Sequence, residues 1–424
     1  MNILEINTVD NIGGAAKIAY SIKKKMETLG HHVSMFVKIK ISDDKNVFLI
    51  NRPSKLSFWV QKITGKDIIG YIFRKIRHLI SDDIDFFSSD NILNTAAFKE
   101  ADIIHCHNLH GNYFNLNTLK KICSIKPVIW TFHDMWPITA HCAHAYACPV
   151  RDGFYECPSL LEYQSLAWHN EKYLRYKKRK IYGSSDFHIV VPCNWLKDKV
   201  ENTILKNKPL SVIHNGIDTS IFRQHDKMSI RRELHIAIDK KIVLFIAVGK
   251  NSVFKGLNFF LASARDLREN NDIIFICVGG NVNSSDENYP PNIISIDYIK
   301  DKMTLAKYYS ASDVLLFPSL AENFPLTVLE AMSCGLPVVS FDTGGIREVI
   351  THGHNGYIAK YSDNSDLIRG IKHIFNLSHD EHEAMSKLSR EKVSSMFSED
   401  LMVKHYINLY EKKLVEYKTK AKYD

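Results

Sequence analysis

Two short apolar runs, Asp313-Val314-Leu315-Leu316-Phe317 and Pro337-Val338-Val339-Ser340-Phe341, stand either side of a single apolar helix, and no other part of the sequence restricts the fold as much. Continuous β-branched runs of this length read as strands buried on both faces, as in a parallel sheet. The helix between them is predicted from about Pro325 to Cys334, with the fixed φ of proline at its start and Gly335 just past its end. Leu326, Val328, Leu329, Ala331, Met332 and Cys334 make it apolar almost all round, so it is expected to be buried. Thr327, Glu330 and Ser333 fall at i, i+3 and i+6 and share one face. A carboxylate on a buried helix must find donors or meet a polar cleft, so Glu330 is expected to face a site. Glu322 lies in the preceding loop, at the carboxyl end of a strand, where open α/β sheets place their ligands. The amides around Phe324 to Thr327 form a helix N-terminus suited to phosphate. One phosphate-binding end and two hydroxyl-seeking carboxylates fit a nucleotide sugar. Taken singly, each acid also reads as ordinary: Glu322 as a solvated loop residue, Glu330 as a structural acid bonded to backbone.

At 424 residues the chain is long enough for two domains with full cores. Its hydrophobic content of 45% and charged content of 24% are those of a soluble globular protein. The net charge of +8 suits an anionic ligand without singling out nucleic acid, and no nucleic-acid module is recognisable. MNILEIN runs straight into a strand, and no apolar run has membrane-spanning length; a cytoplasmic protein is the expectation. The eight cysteines are scattered, several inside predicted elements, which fits reduced thiols better than a disulfide framework.

Along the chain, Asn2 to Asn7 reads as the first strand, then Gly13-Gly14 and a helix from about Ala15 to Leu29. Strand, glycine loop and helix form a phosphate cradle, although tight turns use glycine for steric reasons as well. His32 to Ile39 is the next strand. Residues 55–80 mix Phe58, Trp59, Ile63, Ile72, Phe73 and Leu79 with Lys62, Lys66, Arg74, Lys75 and Arg77, and 172–182 interleave Lys172, Arg175, Lys177, Lys178, Arg179 and Lys180 with tyrosines. Such stretches suit an anionic inner-membrane surface; an amphipathic helix with a solvated basic face accounts for the same pattern. Ala101 to His107 and Pro127 to Phe132 read as strands that put His105, His107, His110 and His133 at their carboxyl ends, where clustering favours a pocket. Cys142, His144, Cys148 and Cys157 could complete a tetrahedral structural zinc site; unliganded thiols in a loop are the alternative. His188 to Pro192 reads as a strand, with a helix opening at Asn194. After the buried strand Ile242 to Val248 come Gly249-Lys250 and Lys255-Gly256, cations beside a strand-to-helix turn that suit a diphosphate leaving group.

Pro318-Ser319, Glu322, Phe324, Glu330-Ala331-Met332, Gly335, Pro337-Val338-Val339 and Gly344-Gly345 together resemble the Glu-x7-Glu signature of retaining glycosyltransferases of family 4. His133-Asp134-Met135-Trp136-Pro137 is similar to a segment of the subgroup that builds bacterial surface polysaccharides. The resemblance implies an α/β protein with the GT-B fold, two doubly wound Rossmann-like domains facing a central cleft. It divides the chain into an acceptor-side domain over 1–208, completed by a helix from about 398 to 424, and a donor-binding domain over 209–397. Implied for the donor, a nucleoside-diphosphate sugar, are Gly13, Gly14, Lys250, Lys255, Glu322, Asn323, Phe324, Pro325, Leu326 and Glu330. Glu322 would hold sugar hydroxyls, Glu330 the ribose, and Lys255 the leaving diphosphate. Lys250 stands where relatives commonly have arginine, with a spacing one residue short. His133 is implied beside the transferring sugar, and His105, His107 and Asp134 on the acceptor side. The subgroup usually carries a further cysteine where this chain has Phe154-Tyr155-Glu156. No cofactor and no catalytic metal are implied; the acceptor would be a polysaccharide or lipid-linked oligosaccharide. A sugar-nucleotide epimerase and a non-catalytic GT-B subunit are the other readings of such a scaffold.

Overall fold

The structure, a computed structural model, describes residues 1–50, 62, 68–146, 148–246, 254–279 and 290–420. Lys250 and most of 51–67, including Phe58, Trp59, Ile63 and Lys66, lie outside the described residues. Fifteen strands are described: β1 Asn2–Val9, β2 His32–Ile39, β3 Val47–Leu49, β4 Ile103–Cys106, β5 Val128–Thr131, β6 Val150–Arg151, β7 Phe154–Tyr155, β8 His188–Val191, β9 Leu210–Val212, β10 Lys241–Ile246, β11 Ile273–Val278, β12 Ile293–Ile296, β13 Val314–Phe317, β14 Val338–Phe341 and β15 Gly356–Ala359. The chain divides into two compact units, one of Met1–Ile213 with Val403–Asp424, the other of His214–Met402.

The first unit is built on a seven-stranded sheet in the order β3-β2-β1-β4-β5-β8-β9, every neighbouring pair parallel. All residues of β4, β5 and β8 are buried, as expected of strands covered on both faces. The long helix Glu399–Lys420 covers part of this sheet: Tyr406 and Tyr410 are fully buried, and Tyr417 donates to the Ile125 carbonyl. The helix Gly14–Thr28 starts one residue earlier than its glycine loop predicted, with Gly13 as N-cap.

The second unit holds a six-stranded parallel sheet, β12-β11-β10-β13-β14-β15. Its core joins β10, β11, β13 and β14 to the helices Leu257–Asp266 and Asn364–Phe375 through Val243, Phe245, Phe260, Phe275, Leu316, Phe341, Leu367 and Ile371. Each sheet is an open parallel one, and such sheets place ligands beyond the carboxyl ends of their strands. The apolar helix between β13 and β14 spans Leu326–Ser333, with Pro325 outside it as the N-cap.

Candidate active site

In the second unit the strand ends converge on the loop Pro318–Asn323. It is clamped from both sides by backbone. Leu320 N and Ser319 Oγ donate to the Phe254 carbonyl, and Gly345 N donates to the Asn323 carbonyl. Two glycines make this approach possible. Gly256 has φ +78°, and a Cβ there would be driven into the Pro318 carbonyl; Gly344 has φ +56° and abuts the Glu322 carbonyl in the same way. The loop thereby holds Glu322 nearly buried. Its Oε1 accepts from Lys255 Nζ at 2.5 Å and from Ser319 Oγ at 2.9 Å. The structure thus pairs two residues that the sequence assigned to one donor, and adds Ser319 as their support. Lys255 remains 43% exposed, so the pair is of the solvent-screened kind worth no more than about 1 kcal/mol and opens readily to an anion.

Glu330 lies inside the helix Leu326–Ser333 and is 7% exposed; its Oε2 accepts from Tyr309 Oη at 2.9 Å. Tyr309 had no signal in the sequence, since it sits on the helix Lys302–Ala311 before β13. Asn323 and Phe324 are buried at the loop's end. Phe324 stacks on His214 at 5.2 Å, and its carbonyl accepts from Asn215 Nδ2. The N-cap of this helix is Pro325, whose side chain makes no capping bond.

In the first unit the histidines gather at the ends of β4 and β5. His107 Nδ1 and His133 Nε2 share a hydrogen bond of 3.0 Å. His110 Nε2 bonds Asp134 Oδ2 at 2.8 Å, and its Nδ1 meets Gln164 Nε2. The Trp136 amide donates to Asp134 Oδ1. Burial holds His133 down to about 4 despite the nearby Asp134, so its ring is neutral at pH 7. Burial alone would raise Asp134; His110 and the Trp136 amide outweigh it, and Asp134 titrates below its ordinary value. His105 is placed differently. It sits within β4, fully buried, with Nε2 on Thr131 Oγ1 at 2.7 Å and Nδ1 on Tyr410 Oη at 2.6 Å. Any part it plays at a site passes through its neighbours, because both ring nitrogens are spent.

Beneath this group lies a fully buried lysine that sequence reasoning counted as surface charge. Lys178 donates to the carbonyls of Trp136 and Thr139 and stands 3.6 Å from the centre of the Trp136 ring. Trp136 Nε1 in turn donates to Asp83. Two more cations of that cluster are taken up inside the protein, while Lys172, Arg179 and Lys180 stay exposed beside Tyr173 and Tyr176. Lys177 pairs with Asp82 and Asp85, Arg175 is buried against Glu156, and Arg179 donates to the Asp152 carbonyl. The patch over 172–182 is therefore smaller than its sequence suggests: Lys178, Lys177 and Arg175 are consumed, and the acids that pair with Lys177 are distant in sequence. The described part of the other basic stretch, the helix Ile68–Ile80, does expose Ile68, Tyr71, Ile72, Phe73, Ile76 and Leu79.

Of the two readings of Cys142, His144, Cys148 and Cys157, a zinc site or unliganded thiols, the geometry does not bring the four into one ligand set. Among the described residues, the set of three metal-ligating side chains whose donor atoms lie within 4.8 Å of one another is Glu5, His105 and His107; Cys142, His144, Cys148 and Cys157 form no such set. Hydrogen bonding with Cys142 instead lowers Cys157, while Cys142 itself is pushed up; all the cysteines are free thiols. Gly13 and Gly14 open the first helix, and a Cβ at Gly14 would meet nothing within 4 Å. Among the described residues no helix is long and apolar enough to cross a membrane.

Comparison with known proteins agrees in both halves. The family described as Glycosyltransferase Family 4 matches residues 12–221, and that described as Glycosyl transferases group 1 matches residues 226–392. WcaC of Escherichia coli K12, provisionally named a colanic acid biosynthesis glycosyl transferase, is 24% identical over 82% of this chain and 85% of its own. In structure the chain is similar to sucrose-phosphate synthase of Thermosynechococcus elongatus, with a TM-score of 0.68 and 17% identity over 98% of this chain and 99% of that one. It is also similar to Anabaena HepE solved with UDP, with a TM-score of 0.64 and 15% identity over 97% of this chain and 100% of that one. At such identities these two likenesses speak to the fold alone, the GT-B fold. With each half matched by a glycosyltransferase family and the fold shared almost end to end, the chain belongs to glycosyltransferase family 4.

Proposed function

We propose that the protein moves a hexose-type sugar from a nucleoside diphosphate to a polysaccharide or lipid-linked oligosaccharide, with retention of anomeric configuration and without a catalytic metal. The observation that carries this reading is the loop Pro318–Asn323 with Glu322 and Lys255 joined at its base. An incoming diphosphate competes with Glu322 for the ammonium of Lys255. Glu322, released from the cation and still held by Ser319, is then free to accept from sugar hydroxyls. Glu330, oriented by Tyr309, accepts from the ribose. The charge that builds on the departing diphosphate is met by Lys255 and by the amides opening the helix Leu326–Ser333, fixed donors of the kind that stabilise developing charge. The acceptor hydroxyl forms its bond to the anomeric carbon on the face the phosphate leaves, and the departing phosphate oxygen takes the hydroxyl proton. No general base is needed, and neutral His133 orients the sugar instead of attacking it. The open space at Gly14 suits a ligand's approach.

A polysaccharide or lipid-linked acceptor is supported by the name of WcaC, and a uridine nucleotide by the complex of HepE. The exposed apolar face of the helix Ile68–Ile80, with Lys75 beside it, suits an anionic membrane surface on which such an acceptor is presented. The test is transfer from a panel of nucleotide sugars with the product anomer read by NMR. Retention is expected, and Glu322→Gln should lower kcat on the order of a hundredfold with a folded protein. An inverted product, or full activity in Glu322→Gln, overturns the mechanism.

A further inference from the structure

The first unit contains a polar group that the mechanism above does not use. β1 and β4 are parallel neighbours with Glu5 in register with His105, so the two side chains stand abreast on one face of the sheet, and His107 follows on the same face. Glu5 and His107 are fully buried. Among the described residues neither oxygen of Glu5 has a hydrogen-bond partner, and neither has His107 Nε2. Leaving a carboxyl unmet in such a place is costly, so a polar partner belongs between them. A metal ion fits poorly. His105 has spent both nitrogens on Thr131 and Tyr410, which leaves two ligands where a closed site takes four. A single water fits well: Glu5 and His107 each have a ligand atom within 4.8 Å of the other's, and together they offer a water three polar atoms that have no partner among the described residues.

We propose that Glu5 is a positioning residue for His133, acting through one bridging water and His107 to fix the ring proton of His133 on Nδ1. Burial keeps Glu5 protonated well above the ordinary carboxylate range, and Lys23, itself bonded to Glu27 and Asp44, does not reverse this. The acid therefore donates to the water, and the water donates to His107 Nε2. His107 then carries its proton on Nδ1 and donates it to His133 Nε2 at 3.0 Å. Receiving there, His133 holds its own proton on Nδ1; which ring nitrogen is protonated is set by the bond the other makes. The other polar groups on this face, His105, Thr131, Tyr406 and Tyr410, are closed on one another and do not compete.

The consequence for transfer rests on the reading that His133 orients the sugar; the relay itself does not. The test is 15N NMR of the histidine rings in the full chain, for wild type, Glu5→Gln and Glu5→Leu, with thermal melting of each and turnover on a nucleotide sugar. In the wild type the His133 proton is expected on Nδ1. Glu5→Gln, whose amide still donates to the water, keeps it there; Glu5→Leu gives mixed tautomers and a kcat lower on the order of tenfold, with KM for the donor unchanged. A wild-type His133 protonated on Nε2 overturns the proposal without need of any variant, and so does an unaltered tautomer in folded Glu5→Leu. A shifted tautomer with unaltered kcat upholds the relay and overturns the sugar-side role of His133.

Discussion

Glu322 and Glu330 differ in what holds them, and the difference sets what each can do. Glu322 is tied to a half-exposed cation and a serine, so a ligand can rearrange it; Glu330 is fixed by Tyr309 within a buried helix. Both acids were legible in the sequence, Glu330 because a carboxylate on a buried helix demands a partner and Glu322 because its loop follows a buried strand. Their partners were not, since Tyr309 and Lys255 come from other elements. Lys178 is the clearest misreading at this scale: a lysine among five other cations looks solvated, yet it is fully buried on Trp136. Burial holds its amine at about 7, against the pull of Asp83 and Asp134. From there up to its ordinary 10.5 the unfolded chain binds a proton that the folded one does not, so stability rises with pH across that window. The cost of charging the buried amine is full below it. Wild type should therefore gain on Lys178→Met by up to about 1.4 kcal/mol per pH unit above pH 7, read by denaturant unfolding at several pH values. A difference that does not change with pH contradicts this placement.

At the scale of elements, the buried strands were easiest to read, because a continuous apolar run of four to six residues between turn residues is too short for a buried helix and too apolar for a loop. The short pieces β6, β7 and β9 carry too few residues to show a period. The charge of the basic helix Glu171–Gly183 was overcounted because Asp82 and Asp85, nearly a hundred residues earlier, take up Lys177, and Lys178 is buried. Close backbone approach was likewise invisible. Gly256 looks like any strand-to-helix glycine, but a methyl group there meets the Pro318 carbonyl. Gly256→Ala should destabilise the protein by at least about 2 kcal/mol and weaken donor binding through the displaced Glu322 loop, read by thermal melting and calorimetry. A silent substitution would mean the loop is not clamped as described. For the helix Ile68–Ile80, the pair Ile72→Ser and Ile76→Ser should cut partitioning to phosphatidylglycerol vesicles at least about tenfold while leaving the melting temperature unchanged. Equal binding by both proteins, or none by either, would mean that this face does not meet a membrane.

At the scale of the whole molecule, the chain forms two compact units on parallel sheets, the first of them completed by the chain's last helix. The alternation of strand and helix made this class of fold readable. What the sequence leaves open is the ligand, because the base, the sugar and the acceptor are chosen by pocket side chains that differ freely on one fold. On the proposed function the second unit binds a nucleoside diphosphate through Lys255 and Glu330. This claim is tested most directly by thermal unfolding of wild type, Lys255→Met and Glu330→Ala with UDP, GDP, ADP and dTDP in turn. One nucleotide, at about a hundred times its dissociation constant, is expected to stabilise the wild type by roughly 2.7 kcal/mol and to lose most of that effect in both variants. Stabilisation by none of the four, or equal stabilisation of all three proteins, would contradict the claim.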